Sequence, residues 1–261
     1  MTPRIAALAL AVSAALGGSA LAATVKGTQH SDRLFGTPGP DLMYGYGGGD
    51  FLTGRGGADR LSGGGGPDRL LGGSGADKLF GGTDADKLVA GSGDDYLSGA
   101  SGRDRLYGQS GRDRLYGGSA DDRLYGGSSR DRLDGSSGSD LLYGQQGPDK
   151  LLGGAGDDEL FGGATGNDAL VGGNGSDNLE GFNGNDNLSG GDGDDELLGE
   201  SGNDHLDGGD GEDDLIAGSG NDVIDARDGN EDTIDCGDGD DRVVVDSKED
   251  GVFDCETVVL P

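Results

Sequence analysis

The sequence predicts an all-β chain wound into a parallel β-roll, a right-handed β-solenoid of G-G-x-G-x-D-x-L-x units with a C-terminal cap. Three observations predict it. Asp recurs every nine residues, an apolar residue stands two positions after each Asp, and a Gly-rich run separates one unit from the next. Fixed self-similarity of this length overrides any local helix or strand signal.

Composition sets the choice. Among 261 residues there are 60 Gly, no Trp and a formal net charge of −31, which no ordinary close-packed domain shows. Low hydrophobicity with high charge is the usual signature of disorder, because such a chain buries too little apolar surface to offset its conformational entropy. Here the Leu and Gly are strictly periodic, so the chain reads as a repeat.

Residues 1 to 22 read as a secretory signal peptide: Arg4, an apolar stretch from Ile5 to Leu16, then Ala20-Leu21-Ala22 as the cleavage site. A membrane anchor is the alternative, but the stretch is short of the roughly 20 apolar residues that span a bilayer. The mature chain would begin at Ala23 and lie outside the cell.

Residues 23 to 235 are the roll. Asp runs from Asp32 to Asp158 in steps of nine, resumes after a one-residue insertion at Asp168, continues to Asp222, and after a second insertion ends with Asp232 and Asp241. The residue two places on is always apolar, from Leu34 and Met43 to Ile224, Ile234 and Val243, and a Gly four places on is replaced only at Ala90, Ala217, Ala226, Cys236 and Val245. Gly permits tight turns and positive φ, and x-Leu-x is a stub of strand. Such a stub cannot stand alone, so two nonapeptides make one coil and coils stack as parallel strands about 4.8 Å apart, giving about twelve coils in one domain.

Residues 236 to 261 are the end of the roll and its cap. Val243-Val244-Val245 and Val252 to Leu260 leave the repeat pattern, and Cys236 and Cys255 are the only cysteines. In an oxidising compartment they pair as a structural bridge, worth about 3 kcal/mol for a loop of this size.

Runs such as Gly153-Gly154-Ala155-Gly156-Asp157-Asp158-Glu159-Leu160 and Gly190-Gly191-Asp192-Gly193-Asp194-Asp195-Glu196-Leu197 resemble the repeats-in-toxin (RTX) calcium-binding nonapeptide, over nearly all of the mature chain. The resemblance implies calcium held between stacked turns, with the Asp carboxylate and turn carbonyls as ligands. Many RTX proteins resemble one another in using an uncleaved C-terminal export signal; the N-terminal signal here departs from that and puts toxin activity in doubt.

The spacing points to a cation independently. Asp residues eighteen apart stack one coil from each other, and two carboxylates about 4.8 Å apart repel by roughly 3.5 kcal/mol at an effective dielectric of 20. Gly turns add carbonyl oxygens, which suits the six to eight hard oxygen ligands of Ca2+ better than the strict octahedron of Mg2+. His30 and His205 are isolated, so no zinc site is expected. The expected metal ligands are Asp50, Asp59, Asp68, Asp77, Asp86, Asp95, Asp149, Asp158, Asp168, Asp177, Asp186, Asp192, Asp195, Asp204, Asp210, Asp213 and Asp222. Residues 151 to 226 carry no Lys or Arg, so the tightest sites are expected between Asp158 and Asp241. In the middle of the chain Arg103, Arg112 and Arg130 precede the repeat Asp, and there arginine is expected to neutralise the column in place of calcium.

Outward residues of every second unit form a column, Phe35, Thr53, Leu71, Val89, Tyr107, Tyr125, Tyr143 and Phe161, beside a basic one, Arg69, Lys87, Arg105 and Arg123. It reads either as a face for a protein or surface partner or as ladder stacking that stiffens the solenoid. The acid balance argues against nucleic acid and anionic membranes. A flat Thr or Asn column would suggest an ice-binding or adhesive roll, and only Thr165-Gly166-Asn167 offers one. No G-x-S-x-G, H-E-x-x-H or phosphate-loop signature is present. The functional expectation is a secreted, non-enzymatic calcium-binding repeat protein; the alternative is a non-catalytic accessory chain of a secreted hydrolase or toxin, or a cell-surface adhesin.

Overall fold

A computed structural model describes residues 22–246 and 251–260. The described residues form β-strands joined by short turns, and no helix long and apolar enough to cross a membrane is found among them. The signal peptide expected at residues 1 to 22 lies, apart from Ala22, outside the described residues. The chain divides into two compact units at Gly127/Ser128.

In the first unit, strands alternate between two parallel sheets. One sheet begins with Thr24–Lys26 and Leu42–Gly47 and runs to Arg114–Ser119; the other begins with Arg33–Phe35 and Phe51–Gly56 and runs to Arg123–Ser128. Neighbours within a sheet are eighteen residues apart, as in Leu61↔Leu79 and Leu88↔Leu106. The fold is therefore the expected right-handed β-roll, two nonapeptides to a coil.

Most strands are six residues long, for example Arg60–Gly65, not the three of x-Leu-x. The first three residues of the following Gly-rich run stay in the sheet ladder, because it still finds partners one coil away: Arg55 pairs with Gly73 and Gly56 with Ser74. Only the residues immediately before each Asp turn the chain. Alternate residues face inward, so the repeat Leu, the repeat Asp and the Gly that opens each unit share the interior. Leu52, Leu61, Leu70 and their successors have no exposed surface, and a thin double ladder of Leu is the core.

Left-handed backbone recurs at two positions of the repeat, one near the strand end and one in the turn, usually at Gly, as at Gly64 and Gly66. The same conformation is imposed on Tyr46, Arg55, Phe182 and Glu200, each at about 1–2 kcal/mol. Stacking on the neighbouring coil fixes the backbone whatever side chain it carries.

The second unit repeats the architecture. Strands from Arg132–Ser137 onward build one sheet and those from Leu141–Gln146 the other. The insertion near Thr165 is absorbed as a bulge opposite Gln145 and Gln146, after which Leu151 pairs with Leu170 in unchanged phase. The expected cap is strand as well: Thr257–Val259 pairs with Arg242–Val245 and Gly251–Phe253 pairs with Thr233–Asp235. Cys236 and Cys255 are disulfide-bonded with Cα atoms 5.2 Å apart, which ties the last coil to these strands.

Candidate metal centre

The repeat Asp side chains lie inside the coils, every one of them from Asp32 to Asp241 at most 5% exposed. Along the roll the carboxyl is held by a backbone N–H of the preceding coil. The Asp50 N–H donates to Oδ1 of Asp68, and the Asp68 N–H to Oδ1 of Asp86, both at 2.7 Å. A second column runs through Asp41, Asp59, Asp77 and Asp95 with the same bond. In the second unit the pattern links Asp149, Asp168, Asp186, Asp204 and Asp222, and separately Asp158, Asp177, Asp195 and Asp213.

One oxygen of each carboxyl is thereby committed. The other, Oδ2, is buried without a hydrogen-bond partner at Asp50, Asp59, Asp68, Asp77, Asp86, Asp95, Asp104, Asp149, Asp158, Asp168, Asp177, Asp186, Asp195, Asp204, Asp213 and Asp222. A buried polar atom in this state is costly. Each Oδ2 beside an opening Gly faces that residue's missing side chain: a methyl on Gly54 would collide with Asp59 Oδ2 and with the carbonyl oxygen of Gly72 one coil on. The glycine thus leaves a small space bordered by hard oxygen atoms.

Burial sets the charge state. Desolvation, opposed by the backbone N–H and reinforced by neighbouring carboxylates, pushes Asp68 and Asp77 up to about 7 and Asp86 to about 8. In the second unit Asp149, Asp158, Asp168, Asp195 and Asp204 also rise to about 7. Near neutral pH these groups need either a proton or a cation. Among the described residues no group of three or more His, Cys, Asp and Glu side chains converges, since each coil gives a column one carboxyl at a time. A cation here would complete its shell with backbone carbonyls, a donor set that fits Ca2+.

The other expected ligands stand elsewhere. Asp192 and Asp210 face each other in register at exposed strand ends, outside the buried column. His205 Nδ1 lies 3.0 Å from the Val223 carbonyl oxygen. The expected role of the middle arginines is not what the contacts give: Arg103 pairs with exposed Asp121 at 2.8 Å and Arg112 with exposed Asp94 at 3.5 Å. Between Arg103 and Arg105, Asp104 keeps an unpartnered Oδ2 and is still pushed up to about 6 by burial. Arg130 does lower Asp149, but only as a minor influence.

A feature not anticipated is an amide ladder along one turn edge. Asn167 Oδ1 accepts from the Asn185 N–H, Asn185 from Asn203 and Asn203 from Asn221, at 2.8–3.1 Å. Thr165-Gly166-Asn167 is therefore not the only start of an Asn column, because Asn167, Asn185, Asn203 and Asn221 recur at the eighteen-residue spacing of one coil.

Compared with family models, the chain matches the RTX calcium-binding nonapeptide repeat (4 copies) at residues 26–61, 62–97, 98–133, 107–142, 134–165, 162–197, 189–224 and 198–231. No curated protein matches the chain.

Proposed function

The chain belongs to the RTX calcium-binding nonapeptide repeat family, and from that premise we propose a secreted calcium-binding protein whose roll is folded or stabilised by several Ca2+ ions and serves a structural or binding role. The observation that carries this reading is the file of buried, unpartnered Oδ2 atoms beside glycine carbonyls.

Asp50, Asp59, Asp68, Asp77, Asp86 and Asp95 would hold the ions in the first unit, and the series from Asp149 to Asp222 in the second. Bound calcium supplies the charge that lets buried carboxyls ionise. The chain supplies the rest: the backbone N–H of the preceding coil fixes the carboxyl through Oδ1, glycine keeps the space open except where Ala90 and Ala217 replace it before Asp95 and Asp222, and the Leu ladder excludes water. Asp192 and Asp210 are assigned an outer part, drawing cations toward the column. Because the unfolded chain has no such column, binding free energy becomes folding free energy.

Export is supported by the signal-like residues 1 to 22 and by the Cys236–Cys255 disulfide, which suits an oxidising compartment. A non-catalytic role is supported by repeats that fill residues 26–231.

Far-UV circular dichroism of residues 23–261, titrated with calcium, then EDTA, with magnesium as control, tests the reading. A cooperative gain of β signal reversed by chelation is expected. A spectrum indifferent to both calcium and EDTA overturns it.

A further inference from the structure

The formal charge of −31 is not the charge the first unit shows to solvent. Its repeat Asp are buried. Of the acids between residues 22 and 127 only Asp84, Asp94 and Asp121 are exposed, and the last two are paired with Arg112 and Arg103.

On the outer face of one sheet of that unit, Arg69, Lys87 and Arg105 stand opposite one another on successive strands, and Arg123 occupies the same position on the strand after them. None of these makes an ion pair among the described residues; Lys87 lies over the Tyr107 ring at 4.7 Å. Beside them runs an apolar column of Leu71, Val89 and Tyr107, in register, with Tyr107 stacked on Tyr125 at 4.8 Å. Like charges directly opposite across strands destabilise a sheet, so this ladder has a use for an external anion column.

The second unit carries such a column. On one of its sheets Glu159, Asn178, Glu196 and Asp214 hold the corresponding position on successive strands, and the three acids are exposed. The parallel column is Phe161, Glu180, Leu198 and Ile216. Both faces thus pair a charged column with a mainly apolar one, the charges are opposite, and the strand spacing is the same because the same repeat generates both.

We propose that this basic face of the first unit docks on the acidic face of the second unit of another copy of the chain. With strands running the same way and coils stacking in opposite senses, cations meet carboxylates while Leu71, Val89 and Tyr107 meet Leu198 and Ile216. Equal pitch lets successive pairs form without accumulating mismatch, and the opposite signs penalise like-on-like docking.

Sedimentation velocity of the full chain in calcium, across protein concentration and NaCl, tests this. The expected result is concentration-dependent association that weakens at least tenfold between low and high salt. The variant Arg69→Glu/Lys87→Glu/Arg105→Glu is monomeric alone, as is Glu159→Lys/Glu196→Lys/Asp214→Lys, and mixing the two restores association. Wild-type chain that stays monomeric at every salt concentration overturns the proposal without any variant. So does association that both reversals leave intact, or a mixture that stays monomeric while each variant keeps its β spectrum. Wild-type monomer that binds dextran sulfate would instead make the basic ladder a site for a soluble polyanion. The calcium reading survives any of these outcomes.

Discussion

Removing calcium and lowering the pH should have opposite effects on this protein. Asp68, Asp77, Asp149, Asp158, Asp195 and Asp204 are each pushed from an ordinary carboxyl value up to about 7 by burial. In the unfolded chain they ionise near 4, so between about pH 5 and 6.5 the metal-free fold holds protons that the unfolded chain has lost. Stability is then fully present below the unfolded value and is lost as pH rises toward 7. Each such group is worth about 1.4 kcal/mol per pH unit; halved for the solvent that reaches the coil edges, the six together remove roughly 4 kcal/mol per pH unit. Two pH units then remove about as much as the whole stability of a typical domain. Urea unfolding of metal-free protein, followed by circular dichroism at pH 5, 6, 7 and 7.5, should show a midpoint that falls steeply with pH, and calcium at pH 7.5 should restore it. A metal-free midpoint that is flat or rises between pH 5 and 7.5 would refute the reasoning that unpaired buried carboxyls set the calcium requirement.

Three further outcomes follow from the same geometry. Asp158→Asn keeps an acceptor in place of Oδ1 and removes the need for a proton, so metal-free protein at pH 7.5 should be more stable by about 1 kcal/mol while binding less calcium, as urea melts and calorimetric titration will measure. Gly54→Ala puts a methyl against Asp59 Oδ2 and the Gly72 carbonyl; about 1–3 kcal/mol should be lost, together with calcium bound next to Asp59, by the same two assays. Reducing Cys236–Cys255 should cost about 3 kcal/mol and lower the calorimetric transition of the second unit, leaving that of the first in place.

Much of this was legible because the period is nine and the inward set alternates. Leu and Asp positions read from the sequence are the positions that are buried. Strand length was not legible, because the Gly-rich run looks like a turn until its second and third residues are seen paired eighteen residues away. Tyr46, Phe182 and Glu200 in left-handed turns were equally opaque, since stacking imposes a conformation that their own chemistry disfavours. The spacing placed carboxylates in columns, but it took coordinates to separate the oxygen bound by Asp N–H from the one left over. The basic column Arg69, Lys87, Arg105 and Arg123 was legible in the sequence; burial adds that the repeat Asp of the first unit do not offset it at the surface.

The alternation of strands between two sheets has a consequence for how such a gene can lengthen. Loss or gain of one nonapeptide leaves every later Leu and Asp facing inward, so the fold tolerates it, yet it moves every later outward residue to the opposite side. Were residues 105–113 deleted, Arg114 rather than Arg105 would follow Lys87, and the Tyr107 column would continue from Tyr116. Duplications in steps of eighteen lengthen a surface pattern, whereas steps of nine scramble it; selection on a face, if one is in use, is selection on the parity of repeat number.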